Sequence, residues 1–469
     1  MTDESSPIAR YHEATSRLEA LIEATPTPTD SSREAVRERA AFRMGRLRRF
    51  LALLGNPHEG YPIVHVGGTS GKGSTSTAIA AILTAAGLNT GLHTSPYLQT
   101  PVEKLQINGQ YIDVEHYIAL TDTILALHED WLASGEAALT YGEAWVALTA
   151  LFFRESQVDI AVLEVGAGGR FDLTNVITPA VSVITSVGID HTNTLGNTIP
   201  EIAWHKAGII KPGIPSITAV TNPEALAIIV DEARLQHSNL TVIAPESDIT
   251  DVFTNMQGTG WIDARSGRSY HSALRGTFQA RNGATAVATI ETLRGLGFHI
   301  PDEAMERGLQ AARMPGRVEM VEDTCTVMLD GAHNAEKVGA LAADVPHLLP
   351  VPEGGQRVAV LGVLEAKQAL EMVEQLVPVI DVLVATSPQV TAKEGKLAST
   401  MAELAQQAGF HGAVWLEPEP RDAIAHAIEL AGTDGQGAVL VTGSLYLIGN
   451  VRERWYREDD IVIARSSWP

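Results

Sequence analysis

The most constraining feature of the sequence is a glycine-rich turn between an apolar strand and a helix of small residues, IVHVGGTSGKGSTSTAIAAIL, over residues 63–83. A buried strand that runs through glycines into a helix brings backbone N–H groups and the positive helix terminus together, which suits a phosphate group. Lys72 adds a full positive charge that a plain strand-to-helix turn would not need. The pattern predicts a phosphate-binding loop, although Gly73 separates Lys72 from the hydroxyl of Ser74 that usually follows directly.

Strand and helix patterns alternate on both sides of this loop. Continuous apolar runs such as DIAVLEVG and AVSVITSVG are typical of parallel strands that are buried on both faces. The alternation predicts an open α/β fold with a mostly parallel sheet. It begins afresh after ARMPGRVEM with the strand patterns TVMLD, RVAVLGVL, DVLVATS, GAVWLEP and GAVLVTG. We therefore expect two domains, residues 1–312 and a smaller α/β domain of residues 313–469.

Composition narrows the class of partner. A chain of 469 residues with a net charge of −22 would be repelled by a phosphate backbone, so we expect no nucleic acid as partner. A small anion is still compatible, because a few local cations and N–H groups can bind it. The single cysteine excludes an intrachain disulfide and fits a cytoplasmic location. We expect no membrane span, since no run of 18 apolar residues occurs. We also expect the protein to be a monomer.

Polar residues follow other strands of the predicted sheet. Parallel α/β sheets bind ligands at the carboxyl ends of their strands. Glu164 ends an apolar strand, where a lone carboxylate needs a partner such as a metal ion. Ser95 and His191 also follow strands, but Ser-Pro is a common turn and a lone histidine is usually structural. Their expected position at the same sheet edge as Lys72 favours a ligand site.

Four further residues stand out by position. Lys206 lies in a predicted helix just before the apolar AGII, where a lysine must reach solvent, pair or change chemically. The residues alone do not decide between these. In the second domain, Asp330 ends a strand before GAHN, which contains His333, and Ser444 follows the last strand. Both strand ends are candidate anion-binding sites.

Eight motifs occur in order between residues 50 and 455: GGTSGKGS, TSPYL, LEVGAGGRFDLTN, IDHTNTLG, HKAGIIKPG, MPGR, DGAHN and VTGSLYLIG. Together they resemble the folylpolyglutamate synthase/dihydrofolate synthase family of the Mur ligase superfamily. A glycine on each side of Lys72, Gly71 and Gly73, is characteristic of the folate branch of this superfamily, so Gly73 becomes a distinguishing feature. The resemblance implies a P-loop ATPase domain of Mur-ligase type with a mostly parallel sheet, and a smaller Rossmann-like C-terminal α/β domain for glutamate ligation.

The resemblance implies an ATP-dependent amide ligase. In this family ATP phosphorylates a carboxylate of the acceptor, and the amine of L-glutamate then displaces the phosphate. The implied acceptor is dihydropteroate or a folate, and the implied cofactors are ATP and Mg²⁺. ATP and the acceptor carboxylate are both anions and must be brought together, so positioning and cationic charge are expected to help the reaction most.

The resemblance also assigns roles to residues. For ATP it implies Thr69, Ser70, Gly71, Lys72, Gly73, Ser74, Asn282, Arg317 and Asp330. For Mg²⁺ it implies Ser74, Ser95, Glu164 and His191. For the acceptor and glutamate it implies Lys104, Thr140, Tyr141, Glu143, Phe171, Asp172, Leu173 and Ser444. For catalysis it implies Lys72, His191, Lys206 and His333, where Lys206 matches a lysine that is carbamylated in the family.

The family's Asp-Lys-Asp of the second domain reads Ala366-Lys367-Gln368, and three single positions also depart from the family pattern. Lys104 and Gln389 stand where arginine is expected, and Gly142 stands where an aromatic residue is usual. The acceptor could therefore be a carboxylate other than a folate, in a paralogous Mur-type amide ligase. A nucleotide-dependent switch without ligase activity is a third interpretation, and the intact Lys72 and Glu164 argue against it.

Overall fold

The computed structural model describes residues 6–23, 32–365, 369–390, 394–432 and 436–469. These residues form two compact units. The first comprises Met1–Ile249, Arg281–Ala312 and Asp459–Pro469, and the second comprises Thr250–Ala280 and Arg313–Glu458.

The two units are not separated by one boundary at residue 313. Residues 250–280 group with the second unit, where Asp344 accepts hydrogen bonds from the Thr277 N–H at 2.7 Å and from its hydroxyl at 3.1 Å. Residues 459–469 group with the first unit, where Arg465 Nε donates to the Tyr111 carbonyl at 2.8 Å. Local strand and helix patterns carry no information on such long-range returns of the chain.

The elements of the first unit alternate as expected. Its strands are β1 (Ile63–Gly67), β2 (Thr90–His93), β3 (Gln106–Ile107), β4 (Gln110–Tyr111), β5 (Ile160–Glu164), β6 (Val181–Ile184), β7 (Ser216–Thr218) and β8 (Leu240–Val242). Its helices are α1 (Pro7–Glu23), α2 (Arg33–Leu53), α3 (Lys72–Ala85), α4 (Val114–Ala133), α5 (Tyr141–Glu155), α6 (Thr192–Leu195), α7 (Ile199–Ala207), α8 (Pro223–Leu235), α9 (Pro245–Asp248), α10 (Gln279–Gly295) and α11 (Asp302–Ala311). Helix α10 begins two residues inside the second unit, and a short 3₁₀ helix spans Leu173–Val176.

One eight-stranded sheet organises this unit, in the order β4-β3-β2-β5-β1-β6-β7-β8. The pairings from β2 to β8 are parallel, and β3 and β4 add an antiparallel edge. The predicted α/β fold with a mostly parallel sheet is therefore confirmed. Strand β1 lies between β5 and β6, so the carboxyl ends of β2, β5, β1 and β6 meet at one edge.

The second unit contains two sheets. Its strands are β9 (Ile249–Asn255), β10 (Gly258–Asp263), β11 (Arg268–Ser272), β12 (Glu319–Glu322), β13 (Thr326–Leu329), β14 (Arg357–Leu361), β15 (Val382–Ala385), β16 (Ala413–Leu416) and β17 (Ala438–Thr442). Its helices are α12 (Ala335–Leu348), α13 (Ala369–Leu376), α14 (Ala398–Gln407), α15 (Pro420–Ala431) and α16 (Leu445–Arg452), and α17 (Glu458–Ala464) continues into the first unit.

The larger sheet of the second unit has the order β12-β13-β17-β14-β15-β16, and β11-β10-β9 form the smaller one. Five of the six strands follow the expected patterns and pair in parallel. The sequence analysis missed β12, an antiparallel edge strand with the sequence EMVE, because its alternating polar residues lack a continuous apolar run. No helix in the described part of either unit has the length and apolar character needed to cross a bilayer.

Helix α3, which follows the glycine-rich turn, packs closely against α11. A Cβ atom on Gly308 of α11 would lie 2.3 Å from the Cα atom of Ile82 in α3. This distance is well inside van der Waals contact with backbone atoms, which cannot rotate away. Glycine at 308 therefore sets how closely the two helices approach.

We predict that Gly308→Ala lowers the free energy of unfolding by about 1–3 kcal/mol, because the added methyl group forces α11 away from α3. Gly45→Ala is the matched control: Gly45 lies inside α2 with no atom within 4 Å of its Cβ position, so alanine should stabilise by about 0.5–1 kcal/mol. Denaturant unfolding of both variants measures the difference. Equal effects would contradict the proposed helix contact.

Candidate active site

The turn between β1 and α3 depends on two glycines. Gly71 caps α3 with a φ of 84°, and a Cβ atom there would lie 2.2 Å from Asn282 Oδ1. Gly68 has a φ of 149°, and its Cβ would lie 2.0 Å from Thr185 Oγ1. Both positions therefore combine a left-handed backbone with close contact, which glycine alone tolerates. The structure places predicted nucleotide residue Asn282 against this turn.

The residues that follow β6 hold the turn from one side. The Thr69 N–H donates to the Ser186 carbonyl at 2.9 Å, and the Ser70 N–H donates to Ser186 Oγ at 2.7 Å. The Thr185 hydroxyl donates to the Ser70 carbonyl at 2.6 Å. These two backbone amides are used within the protein, so they shape the loop. The sequence analysis missed Thr185 and Ser186, because their role depends on the adjacency of β1 and β6.

The first turn of α3 provides amides for a phosphate group. The first intrahelical bond of α3 joins the Thr75 N–H to the Gly71 carbonyl at 2.9 Å. The amides of Lys72 and Gly73 come before it and therefore have no acceptor within the helix. Such a helix start binds anions through its N–H groups and its positive dipole end.

Glu164 lies beside this helix start. It ends β5, is 4% exposed, and is paired in register with Val66 of β1. Its Oε1 lies 4.0 Å from Lys72 Nζ, and its Oε2 accepts a hydrogen bond from the Ser95 N–H at 3.1 Å. The structure therefore brings together three predicted site residues from three neighbouring strand ends.

The carboxylate of Glu164 and the hydroxyls of Ser74 and Ser95 are suitable oxygen ligands for Mg²⁺. Among the residues that the structure describes, no group of three or more His, Cys, Asp or Glu side chains could hold a metal ion by itself. Mg²⁺ in nucleotide sites is bound through one or two carboxylates together with substrate phosphates and water. Glu164 with the hydroxyls of Ser74 and Ser95 matches that requirement. His191 lies exposed before α6 with a φ of 52°, and its role as a further ligand stays a prediction.

The glycine-rich loop after Glu164 packs on the end of α7. The Arg170 N–H donates to the His205 carbonyl at 2.6 Å. A Cβ atom on Gly208 would lie 2.3 Å from Arg170 Cβ, and one on Gly169 would lie 2.9 Å from the same His205 carbonyl. Helix α7 carries Lys206, which is buried at 3% exposure. The loop that follows the predicted metal ligand therefore covers the predicted carbamylation site.

Asp172 stabilises this loop. One carboxylate oxygen accepts the Ala167 N–H at 2.9 Å, and the other accepts the Thr174 N–H at 2.9 Å. The neighbouring Phe171 ring packs against Trp204, with 6.0 Å between ring centroids. These contacts give Asp172 a structural role, and its predicted contact with the acceptor stays a prediction.

Thr140 and Glu143 form the start of α5. The Thr140 N–H donates to Glu143 Oε2 at 2.8 Å, and the Glu143 N–H donates to the Thr140 hydroxyl at 3.4 Å, which is a capping box. Glu143 is fully buried and accepts a hydrogen bond from Arg46 Nε at 2.8 Å. The sequence analysis missed Arg46, which the arginine-rich α2 supplies as the partner of this buried carboxylate.

The two predicted acceptor segments lie against each other. A Cβ atom on Gly142 would lie 3.0 Å from Leu173 Cδ1. An aromatic side chain at 142, as in the family pattern, would require Leu173 to move. The departure at Gly142 therefore has a local packing reason.

Lys104 is held among three aromatic rings. Its Nζ lies 4.2 Å from the ring centroid of Trp145, 5.1 Å from that of Tyr141 and 5.3 Å from that of Tyr97. Burial lowers the pKa of Lys104 from 10.5 to about 7, and the charge of Glu19 opposes this shift. The faces of aromatic rings stabilise an ammonium group, so the rings offset part of its lost hydration. The sequence predicted Lys104 and Tyr141 but missed Trp145.

In the second unit, Asp330 follows β13 and is buried. Its carboxylate accepts the Val318 N–H at 3.0 Å and the Ala332 N–H at 2.8 Å. Burial raises the pKa of Asp330, while the charge of Arg317 and the two N–H groups lower it. Arg317 is close, since its Nη1 lies 2.7 Å from the Cβ position of Gly331. Predicted residues Asp330 and Arg317 therefore lie together.

His333 and Ser444 follow neighbouring parallel strands, β13 and β17. His333 Nδ1 lies 2.9 Å from the Gly331 carbonyl, and its Nε2 lies 3.0 Å from Lys337 Nζ. Donation by Nδ1–H leaves Nε2 to accept from the lysine ammonium. The Ser444 hydroxyl accepts the Tyr446 N–H at 3.2 Å and caps α16. Lys337 was not predicted from the sequence, because His333 precedes α12 and its contact with the first turn of that helix depends on how the chain enters it.

The chain matches two family models. The Mur ligase middle domain matches residues 66–290, and the Mur ligase, glutamate ligase domain matches residues 316–445. Fold and site thus define an ATP-dependent ligase of the Mur type.

Known relatives narrow this class. A dihydrofolate synthase/folylpolyglutamate synthase of Bacillus subtilis is 36% identical over 417 residues, which are 88% of this chain and 94% of the relative. A Mycobacterium tuberculosis folylpolyglutamate synthase complexed with ADP matches with a TM-score of 0.83 and 29% identity, covering 96% of this chain and 99% of that one. Escherichia coli FolC in complex with DHPP and ADP matches with a TM-score of 0.75 and 27% identity, covering 97% and 99%. The chain belongs to the folylpolyglutamate synthase/dihydrofolate synthase family, and it is an ADP-forming ligase.

The lowered pKa of Lys104 predicts a pH-dependent stability. Between pH 7 and 10.5 the unfolded chain binds a proton that the folded chain does not, so the stability contributed by Lys104 rises with pH. Below pH 7 the full cost of burying the charge is present. Lys104→Met should therefore raise the free energy of unfolding by about 3 kcal/mol at pH 6, and by much less at pH 9.

Denaturant unfolding at the two pH values measures this difference. Lys104→Arg is the control, because a guanidinium keeps its charge over this range and should remain destabilised at both. An equal gain from Lys104→Met at pH 6 and pH 9 would show that Lys104 carries no lowered pKa.

Proposed function

We propose that this chain joins L-glutamate to the carboxylate of a pterin or folate acceptor at the expense of ATP, through an acyl phosphate. The observation that carries the proposal is the meeting of Lys72, Glu164 and Ser95 at neighbouring strand ends beside the start of α3. Cationic and backbone N–H groups there can hold a triphosphate next to a carboxylate. Family membership supplies the reaction class, and the relatives' substrates support the acceptor.

The chain's own residues position the nucleotide. The N–H groups of Lys72 and Gly73 would bind terminal phosphate oxygens, and the Lys72 ammonium would offset the charge that develops on the transferred phosphoryl group. Asn282, packed on Gly71, would fix the loop and contact the nucleotide. Loss of water from this site strengthens each of these interactions.

We assign Mg²⁺ to Glu164, Ser95 and Ser74, with His191 as a further ligand. When bound, Mg²⁺ neutralises phosphate charge and orients the γ-phosphoryl group. Lys72 lies 4.0 Å from Glu164. The Lys72 ammonium therefore places a positive charge beside the buried carboxylate that would bind the metal ion.

We also propose that Lys206 is carbamylated. The reaction joins a neutral amine to CO₂, forms an N–C bond and releases one proton, so it needs an amine with a lowered pKa. Lys206 is 3% exposed, and its positive charge, together with those of Arg37 and Arg170, contributes to lowering the pKa of His205 after burial. The positive charges of Arg37 and Arg170 near this helix would stabilise a carbamate anion. A crystallographic map at Lys206 tests this, and density for an unmodified lysine would refute it.

Acceptor and glutamate are assigned to different groups of residues. The Lys104, Tyr141 and Leu173 region of the first unit would bind the acceptor, since it combines aromatic faces with one ammonium donor. His333 and Ser444 of the second unit would contact glutamate. The cytoplasmic location and the monomeric state stay predictions.

A second candidate function is ligation of an amino acid to a carboxylate acceptor other than a folate. Lys104 favours it, because an ammonium among three rings cannot form the planar, two-pronged contact of the family's arginine. A substrate that presents a single hydrogen-bond-accepting atom at this point would fit the lysine better.

We predict that the chain incorporates labelled glutamate in an ATP-dependent reaction with dihydropteroate, with tetrahydrofolate, or with both. Phosphate release in parallel reactions with a panel of non-pterin carboxylic acids distinguishes the second candidate. Turnover with non-pterin acids alone would replace the folate acceptor by that alternative.

We predict that Lys72→Met lowers glutamate incorporation at least a hundredfold, since it removes the cation at the terminal phosphates. The overall fold should persist, because Lys72 is partly exposed and, within the described residues, its one ion pair is the 4.0 Å contact with Glu164. Lys396→Met is the control, as Lys396 Nζ bonds the Glu365 carbonyl on the second unit's surface. Retained activity in Lys72→Met would exclude the phosphate role.

A further inference from the structure

The turn that precedes β12 contains a strained residue. Val318 has a φ of 45°, in the left-handed region that side chains branched at Cβ avoid. It is fully buried and directly follows Arg317, which the family resemblance assigns to ATP. Such a backbone conformation costs free energy and persists only where the surrounding structure holds it. Other contacts of the fold must therefore keep this turn in place.

Two hydrogen bonds hold Val318 itself. Its N–H donates to Asp330 Oδ2 at 3.0 Å, and its carbonyl accepts from Arg275 Nη1 at 3.4 Å. Asp330 is also assigned to ATP, so one side of the turn is fixed to a predicted site residue. On the other side of Arg317, Gly316 has a φ of 65°. Arg317 therefore lies between two residues with a left-handed backbone, at a sharp bend of the main chain.

Glu319 holds the other end of the turn. Its Oε2 accepts a hydrogen bond from the Gly316 N–H at 2.8 Å. The Gly316 carbonyl in turn accepts the Gly331 N–H at 2.9 Å, so the turn is also bound to the residue that follows Asp330. Glu319 is 5% exposed. A carboxylate that is buried to this extent needs a compensating charge.

Arg452 supplies that charge. It is the last residue of α16 and is fully buried. Its Nε lies 3.1 Å from Glu319 Oε1 and 3.0 Å from Oε2, and its Nη2 donates to Oε1 at 2.9 Å. The planar guanidinium binds both carboxylate oxygens and so fixes the orientation of the carboxylate. In this orientation Oε2 also faces the Gly316 N–H.

The start of α16 lies close to Arg317. A Cβ atom on Gly331 would lie 2.3 Å from Leu445 Cδ2 and 2.7 Å from Arg317 Nη1. Leu445 is the first residue of α16 and follows the cap residue Ser444, which the family resemblance assigns to the glutamate side. The Arg317 guanidinium and the start of α16 therefore pack on the same glycine. Because the last residue of α16 binds the carboxylate that holds the turn, both ends of this helix act on the position of Arg317.

We infer that Glu319 and Arg452 are positioning residues for the nucleotide, acting through Arg317. This inference rests on the proposed function and on the assignment of Arg317 to ATP. The ion pair fixes one side of the strained turn and Asp330 fixes the other, so that the Arg317 guanidinium is held beside Gly331 before the nucleotide binds. A side chain that is already in position loses less conformational entropy on binding its ligand.

A buried ion pair can also serve the fold alone, and the two roles predict different results. Replacing both charges by apolar side chains of similar size often leaves stability unchanged, whereas removing one charge leaves the other uncompensated and destabilises the protein. If the ion pair served only the fold, nucleotide affinity would follow stability. If it positions Arg317, nucleotide affinity follows the acceptor for the Gly316 N–H.

The test uses variants that separate stability from this acceptor. In Glu319→Gln the amide oxygen can still accept the Gly316 N–H, while Arg452 loses its counter-charge. The double variant of Glu319→Met and Arg452→Met removes both charges and the acceptor. We expect Glu319→Gln to unfold at a lower denaturant concentration but to bind ADP within about twofold of the unmodified protein. The double variant should unfold near the midpoint of the unmodified protein and bind ADP about threefold to tenfold more weakly.

Calorimetry with ADP and Mg²⁺ measures these affinities. Arg317→Met should weaken ADP binding at least as much as the double variant does, because it removes the side chain that the turn positions. Arg454→Met is the matched control, since Arg454 lies two residues from Arg452 and forms a more exposed ion pair with Asp323 at 2.9 Å. It should change the ADP affinity less than twofold.

An unchanged ADP affinity in the double variant or in Arg317→Met would overturn the inference. ADP affinities that follow the unfolding midpoints across the variants would overturn it as well, since the ion pair would then act only through stability. Absence of glutamate incorporation with every folate would instead reject the proposed function, while ADP binding would still decide the role of the ion pair.

Discussion

The pairing of β1 between β5 and β6 is the constraint on which the rest of the active site depends. Its register sets Val66 opposite Glu164, and it brings the residues after β6 against the glycine-rich turn. The turn then needs glycine at 68 and 71, because Thr185 and Asn282 occupy the space of a side chain. Strand order therefore fixes the positions of the helix start, the lysine and the carboxylate together.

Much of this arrangement could be predicted from the sequence, because it is encoded locally. Continuous apolar runs identified the parallel strands, and the glycines around Lys72 identified the turn. The partners of Glu143 and Asp172 were harder to assign. Arg46 lies 97 positions from Glu143, so no local pattern links them. Two local patterns could have been recognised in the sequence: the capping box Thr140-x-x-Glu143 and the turn made by Asp172. Both indicate structural roles for residues that the family resemblance connected to the substrate.

Burial and charge divide the site residues into two kinds. One kind forms hydrogen bonds within the chain, and these bonds stabilise the loops and helix starts around the site. It comprises Glu143, Asp172 and Ser444. Lys104 forms no ion pair with a carboxylate among the described residues, and its Nζ lies among three aromatic rings instead. Such a group costs stability in the free protein and gains most from a ligand. The acceptor side of the site therefore differs physically from the nucleotide side, where Lys72 and Glu164 compensate each other.

The return of residues 459–469 to the first unit has a consequence for how the protein is made. Tyr111 of β4 accepts a hydrogen bond from Arg465 and also contacts Ser467 through its hydroxyl. Arg465 is synthesised 354 residues after Tyr111, so strand β4 lacks these last contacts while most of the chain is being made. The edge strand β4 is therefore completed only at the end of synthesis, although it is among the first strands to be made.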